Sequence, residues 1–502
     1  MAEGNSKRLA KNTLFMYIRM FVLLLISLYT SRILLQQLGI EDFGIYNLVG
    51  SIIAMLSSLR GLFASSTQRF LNYEMGKGHT EKLQTIFNMS VVINMIISLI
   101  FVISVEVLGY WFFTYKINID PSRLFAAVCV FHLSVAASVV TIMTTPFDAV
   151  IIANERMGFY AYISIIEGLL KLAVIFLLIW WPGDKIITYA VLLFCVSLLI
   201  RSVNAVYCRM HFPESHYKRC WDKNLFKNMS SFAGWNFFGN MGFSLCTEGI
   251  NMLLNIFGGP IVNAARGITY QVKSAMEMFI GNVNKATDPY ATKLYAKNDF
   301  VNYNKMMFFI SKVLFFAYTC LAVPLFFFID EILILWLGQI PKYAPVFIRL
   351  ILIHGIIRSY LSPLNLLFYS ANKVKYYQIS SITISIVLFL FSWFVLQLGL
   401  PIYSPFVVMV IFVVISWATF LLLAKVLCNF PVQEYLKNVT LPTILALLLN
   451  FMIAYVVYSF RSYLLCWFVS CIVISSTYLV IVYYFGFNRM ERKILFSLVN
   501  KN

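Results

Sequence analysis

Charge is scarce in this chain. Asp, Glu, Lys and Arg make up 12% of its 502 residues, where a soluble domain carries about 25%. Acid is scarcer still, with 21 acidic against 39 basic side chains. What fills the space is apolar: 61% of residues, for a mean hydropathy of +0.81. A water-soluble fold of this size would expose much of that surface, so lipid has to be the solvent. Long polar loops are lacking too. The largest stretches between apolar runs, 209–228 and 427–440, are short and basic, which excludes a soluble catalytic domain on either side. None of the nine cysteines forms a C-x-x-C pair, so they are read as small apolar filler in helix contacts. The five histidines (79, 132, 211, 216 and 354) are scattered, so no metal site or bound cofactor is expected. No A-x-A-like cleavage site follows the first apolar run behind Lys7, Arg8 and Lys11, so it is read as a retained span rather than a signal peptide.

The apolar stretches recur along the whole chain and run about 20 to 30 residues, the length of a membrane helix and too long for barrel strands. Spans are expected near 13–37, 45–68, 84–113, 122–151, 160–181, 186–208, 229–256, 262–288, 301–328, 345–370, 376–398, 403–426, 441–460 and 463–486. Turn residues punctuate them: Gly39 to Gly44, Asp120-Pro121, Pro182-Gly183, Gly258-Gly259-Pro260, Pro341 to Pro345 and Gly399 to Pro401. The fold class is therefore an all-α membrane protein of about 14 transmembrane helices.

An even number of spans puts both termini on one side. The loops opposite hold only Lys116, Arg123, Lys185, Lys342 and Arg461, whereas most other loop lysines and arginines share the side of the termini. Positive charge marks the cytoplasmic side, so both termini are expected there. The basic pI of 9.4 is then a topology signal rather than a nucleic-acid footprint. Trp111, Trp180, Trp181 and Trp336 fall at outer ends of spans, as an interfacial aromatic belt does.

The chain also repeats itself. Ile33-Leu34-Leu35-Gln36-Gln37-Leu38-Gly39 realigns with Met252-Leu253-Leu254-Asn255-Ile256-Phe257-Gly258. Further on, Thr145-Pro146-Phe147-Asp148, followed by Ala153-Asn154-Glu155, realigns with Ser362-Pro363-Leu364-Asn365, followed by Ala371-Asn372-Lys373. The repeat carries six spans, an even number, so both copies keep the same orientation. That predicts two six-helix lobes, 1–210 and 229–427, joined by a cytoplasmic linker at 211–228 and related by a pseudo-twofold axis along the membrane normal. A cavity lies between them, and the lobes rock to give alternating access. Two extra helices at 441–486 and a basic tail at 487–502 fall outside the repeat.

Ten basic residues lie inside the expected spans: Arg19, Arg32, Arg60, Lys171, Arg201, Arg266, Lys273, Lys312, Arg349 and Arg358. Each costs about 2.5–3.5 kcal/mol at a helix centre. Glu106, Asp148, Glu167, Glu248, Glu277 and Asp288 are the acidic residues there, leaving a positive surplus. Some of this has a bland reading. Arg32 and Arg349 lie near outer ends and Arg19, Arg60 and Arg201 near inner ends, within reach of headgroups. Glu167–Lys171 and Lys273–Glu277 are spaced for local pairs on one helix. Arg358 lies deeper in its span. The sharper reading is a wet, basic cavity that receives an anion, for which the planar fork of arginine suits phosphate. Arg19 and Arg32 stand about 140° and about 20 Å apart on a straight helix, so one narrow site does not hold both.

Ser31-Arg32-Ile33-Leu34 followed by Leu38-Gly39-Ile40-Glu41-Asp42-Phe43-Gly44-Ile45-Tyr46 resembles the opening of bacterial polysaccharide and O-antigen flippases. Their superfamily also holds the lipid II flippase and multidrug exporters. The resemblance extends to span count, six-plus-six duplication, cytoplasmic termini and the Pro146 and Ala153-Asn154 region. It implies a multi-pass protein of the bacterial inner membrane that moves undecaprenyl-pyrophosphate-linked oligosaccharide to the outer leaflet. The partners implied are that lipid-linked oligosaccharide, membrane lipids, and the polymerase and chain-length machinery of surface glycan assembly, with the transporter itself a monomer. The resemblance also implies that Arg60 and Arg266 meet the pyrophosphate. Lys273 joins them, with Arg19 and Arg32 next, although these two stand off the family's spacing. Lys171, Arg201, Lys312 and Arg358 are secondary cavity candidates. Glu167, Glu248 and Asp148 are the candidates for coupling to a proton or sodium gradient, with simple charge pairing as their alternative. A cation-coupled drug exporter of the same fold would want an acidic cavity, and a glycan polymerase a sizeable outer loop. The positive surplus and the short loops argue against both.

Overall fold

The computed structural model describes residues 2–76, 80–154, 156–218, 221–296, 299–371, 373–460, 467–488 and 491–492. Side chains within these helices are described outside 2–18, 20, 55–66, 69, 72–73, 76, 80–81, 228, 231–245, 279–293 and 296. Every regular element among the described residues is helical, and eleven segments are long and apolar enough to cross a membrane. This is a multi-pass, all-α membrane protein. The chain divides into two compact units, Met1–Ala264 and Ala265–Asn502.

The first unit begins with α1 (Ala2–Gly76), which is two helices meeting at Gly39. There φ is 78° and ψ 174°, a conformation essentially confined to glycine. Helix α2 (Thr80–Tyr115) follows, then α3 (Pro121–Met143) and the short α4 (Thr145–Ala153), α5 (Met157–Trp180), α6 (Lys185–His211) and α7 (Lys223–Gly258). Asp120 caps α3 by accepting from the Ser122 amide at 2.8 Å, and Asp184 caps α6 by accepting from Ile186 at 3.1 Å. Arg123 ties both beginnings to the α1 corner, since its guanidinium reaches Asp42 as well as Asp184.

Helix α7 packs along α1, and two residues beyond the end of α7 the chain makes a second close approach to α1. Gly44 lets the Pro260 carbonyl come so near that a Cβ there would lie 1.9 Å from its oxygen. Beside it, amides replace apolar contacts. Asn263 donates to Asn251, Asn255 to Asn263, and the Asn118 backbone to Asn255, at 2.8, 2.9 and 3.1 Å. Buried amides are tolerated in lipid when they satisfy one another in this way.

Helix α8 (Pro260–Ala296) starts in the first unit and carries the chain into the second. There follow α9 (Phe300–Phe327), α10 (Ile329–Leu337), α11 (Ala344–Arg358), α12 (Leu361–Ser370), α13 (Val374–Gln397), α14 (Ser404–Cys428), α15 (Val432–Tyr435), α16 (Leu441–Ser459) and α17 (Trp467–Ile481). Helix α9 is the central column, packed against α11, α16 and α17. Its hydroxyls bond within the bundle: Thr319 with Tyr478, while Tyr360 from the α11–α12 connection bonds Thr443 of α16 at 2.5 Å. The polarity is inverted relative to a soluble bundle. On α2, Leu99 is 62% and Val107 66% exposed, and α13 shows Leu390, Phe391 and Phe394 outward, as lipid requires.

Two backbone features recur along the chain, although the corner that matches Gly39 is Gly259, one residue past its sequence partner Gly258. Gly259 has φ 72° and ψ −174°, almost the conformation of Gly39, and a helix restarts at the next residue in both places. Helix α3 breaks at Thr144 ahead of Pro146, and α11 breaks at Ser359–Tyr360 ahead of Pro363. Two elements differ from expectation. Helix α10 occupies a stretch read as an outer turn, and its Asp330 takes the Arg349 guanidinium that was expected to reach headgroups. The thirteenth span starts at Val432 rather than 441, entering through a wide helical turn at Leu436–Thr440.

Candidate functional site

Each unit holds a polar cluster inside its helices, and the two are built differently. In the second unit, α8 carries Arg266, Tyr270, Lys273 and Glu277. Steps of four, three and four residues place them on one face. Arg266 and Lys273 are both buried. They share one aromatic ring: the Arg266 Cζ lies 3.9 Å and the Lys273 Nζ 4.7 Å from the centroid of Tyr270. A ring face stabilises a desolvated cation by about 2 kcal/mol. Glu277 lies further along the face, with its Oε1 4.0 Å from Lys273 and 3.4 Å from the Nε of Arg358, which arrives from the end of α11. Both Glu277 and Arg358 keep more than a third of their side-chain surface exposed. His354 and Tyr318 are buried beside them, and the Tyr318 hydroxyl crosses the face of Gly355, where a Cβ would lie 1.8 Å from it. The cluster therefore presents three cations, one carboxylate and a phenol whose hydroxyl, on Tyr270, has no hydrogen-bond partner among the described residues.

The first unit's cluster is a closed chain of alternating sign. Lys171 Nζ lies 2.7 Å from Glu167, whose other oxygen is 3.5 Å from Arg201. Arg201 is also 3.1 Å from Asp148, and Asp148 accepts from Asn204 at 2.9 Å. Beside this chain is a cavity of about 450 Å³ walled by α3, α5, α6 and the second half of α1.

The remaining candidates divide by what surrounds them. The side chain of Arg60 lies outside the described residues. Arg19 stacks over Tyr160 of α5, with its Cζ 4.7 Å from the centroid, and Arg32 is half-buried higher on α1. Lys312 is engaged by both oxygens of Glu491, at 3.0 and 2.8 Å, in a buried contact between α9 and the chain after α17. Glu248 lies half-buried on α7. The structure thus gathers Arg266, Lys273 and Arg358 in one place and Lys171, Arg201, Glu167 and Asp148 in another. Tyr270, Tyr318 and His354 were not singled out from the sequence. Tyr270 had a signal, since it falls midway between two cations at helical spacing; Tyr318 and His354 had none.

Among solved structures, the lipid II flippase MurJ in an inward closed conformation superposes with a TM-score of 0.72 at 14% identity, over 93% of this chain and 98% of that one. An inward-facing multidrug resistance MATE family transporter of the MOP superfamily gives 0.66 at 11% identity, over 83% and 99%. A MOP superfamily transporter from Pyrococcus furiosus, described as having a binding pocket of reversed polarity, gives 0.59 at 12% identity, over 86% and 96%. These likenesses establish the fold. No curated protein matches the chain. A model of the polysaccharide biosynthesis protein family matches residues 9–295, more than half of the sequence, and the chain belongs to that family.

Proposed function

We propose that the protein is a flippase that carries undecaprenyl-pyrophosphate-linked oligosaccharide from the cytoplasmic to the outer leaflet for surface polysaccharide assembly. The observation that carries this reading is the α8 face, where Arg266 and Lys273 are buried against one tyrosine and Arg358 stands beside them. Cations taken out of water are expensive, and a ligand diphosphate repays that cost with charge-assisted hydrogen bonds. The head group enters a polar site while the polyprenyl tail stays in lipid, so the sugar never meets hydrocarbon alone. The family and the shared fold support transport. The duplicated backbone supports two six-helix lobes, 1–210 and 229–427, that alternate access, with 441–486 appended. The distribution of loop charge supports cytoplasmic termini in a bacterial inner membrane. Arg60 belongs to the proposed diphosphate set on the family resemblance, and Arg19 and Arg32 rank behind it. The lipid-linked oligosaccharide is the partner this reading requires.

The test is reconstitution of the full chain in liposomes with a fluorescent lipid-linked oligosaccharide, scored by the fraction of label reachable from outside. Arg266→Ala and Arg60→Ala are each expected to slow transfer by more than about tenfold, the scale of one lost charge-assisted contact. Wild-type rates in both variants, with the protein still monodisperse, would overturn the site. No transfer of that lipid by the wild type, with export of organic cations instead, would overturn the function.

A further inference from the structure

The first unit's cavity has the wrong chemistry for the diphosphate. The charged groups of its wall, Lys171, Glu167 and Arg201, are already paired with one another, and Arg201 with Asp148 as well, so it offers neither a spare cation for an anion nor a spare carboxylate for an organic cation. Hydroxyls dominate the rest of the polar wall. Ser134, Ser138 and Thr141 follow at steps of four and three along α3, and Ser197 faces them from α6. Ser138 and Thr141 donate their protons to backbone carbonyls one turn back, at 2.9 and 2.8 Å; the Ser138 oxygen is left as an acceptor, and the Thr141 oxygen accepts from Ser197 at 3.3 Å with one lone pair remaining. Donors come from the charged chain. Lys171 lines the wall, keeps nearly half its side chain exposed and commits one of its three N–H groups to Glu167. Two tyrosines complete the wall, Tyr46 and Tyr189, edge to face with centroids 5.2 Å apart.

Acceptors, a few fixed donors, aromatic edges and no net charge are the complement of a polyol, whose hydroxyls need both hydrogen-bond roles and whose C–H faces lie against rings. The volume of about 450 Å³ is within the range of small-molecule sites. We propose that this cavity is a saccharide subsite, taking uncharged sugar units of the transported glycan. The proposal rests on the functional reading for the identity of the cargo, but it uses none of the residues assigned to the diphosphate.

Two binding arms on the purified full chain separate the two ideas. One arm uses the oligosaccharide released by mild acid from the lipid-linked pool of the native host, followed by saturation-transfer NMR. The other uses polyprenyl diphosphate without sugar. Wild type is expected to bind both. Ser134→Ala with Ser138→Ala is expected to weaken the sugar arm by about tenfold and leave the diphosphate arm unchanged. Ser197→Phe, which fills the cavity from the other wall, is expected to do the same, so the proposal does not hang on one variant folding. The proposal is overturned if wild type shows no saturation transfer at about 10 mM sugar, since then the cavity holds only water, or if both variants bind sugar as wild type does. Loss of the diphosphate arm with the sugar arm intact would instead overturn the functional reading.

Discussion

The two units share a backbone plan and diverge in charge. Each breaks a span ahead of a proline, Pro146 and Pro363, and two glycine corners of nearly the same φ and ψ, Gly39 and Gly259, both lie within the first unit. On that plan the first unit threads Lys171, Glu167, Arg201 and Asp148 into a neutral chain. The second places Arg266 and Lys273 on a tyrosine and sets Glu277 between Lys273 and Arg358. The difference teaches that an intramembrane charge has two uses. Charges matched in number and sign hold helices together, and three cations gathered with one carboxylate around a ring make a positive site suited to an anion. The largest test of this contrast is stability. Arg201→Ala leaves Asp148 buried without its cation, and breaking such a pair costs about 3–5 kcal/mol. A severe drop in melting temperature is expected in detergent. Arg266→Ala, which takes a cation off a ring, is expected to lower it much less. Equal losses in the two variants would erase the distinction between the two clusters.

The second test asks whether the likeness of the two corners is energetic as well as geometric. At both corners the backbone lies where a Cβ is strained whatever space surrounds it. Gly39→Ala and Gly259→Ala should therefore each cost about 1–3 kcal/mol, and by similar amounts. Denaturation of the two variants side by side measures this. A loss at one corner and none at the other would mean that the corners are alike only in shape.

Much of this architecture was legible because lipid enforces a strong rule: apolarity must persist for about 20 residues, and loops must break it. Helix α10 escaped because nine residues are too few to show that pattern beside a long span. The cationic face was legible only in part: Lys273 and Glu277 stand at the spacing of a local pair and Arg266 came from the family resemblance, while Tyr270, which joins them on one face, was passed over. What joins different helices left no trace. Arg201 meets Asp148 across 53 positions, and Lys312 meets Glu491 across 179, and no local pattern connects them. Arg201 and Lys312, read from the sequence as secondary cavity cations, each pair with one of those carboxylates, and Arg201 also lines the first unit's cavity. The serines of α3 read as ordinary small residues until the structure put a cavity in front of them.

The smallest test concerns the one carboxylate of the second unit's cluster. Glu277 touches Lys273 at 4.0 Å and Arg358 at 3.4 Å, so a diphosphate approaching those cations competes with it. Its exposure keeps each contact weak, on the order of 1 kcal/mol or less. Glu277→Gln keeps the shape, removes the charge and should tighten diphosphate binding by about two- to fivefold, which corresponds to that energy. The same substitution should slow release, so transfer by the reconstituted variant should rise at low lipid concentration and fall at saturation. Titration of polyprenyl diphosphate against wild type and variant reads the first effect, and the dependence of transfer rate on lipid content reads the second. Weaker binding in the variant would show that Glu277 orients the cations for the ligand rather than standing in for it. The two units would then both use their carboxylates to hold cations in place, and the contrast between them would narrow to the aromatic ring.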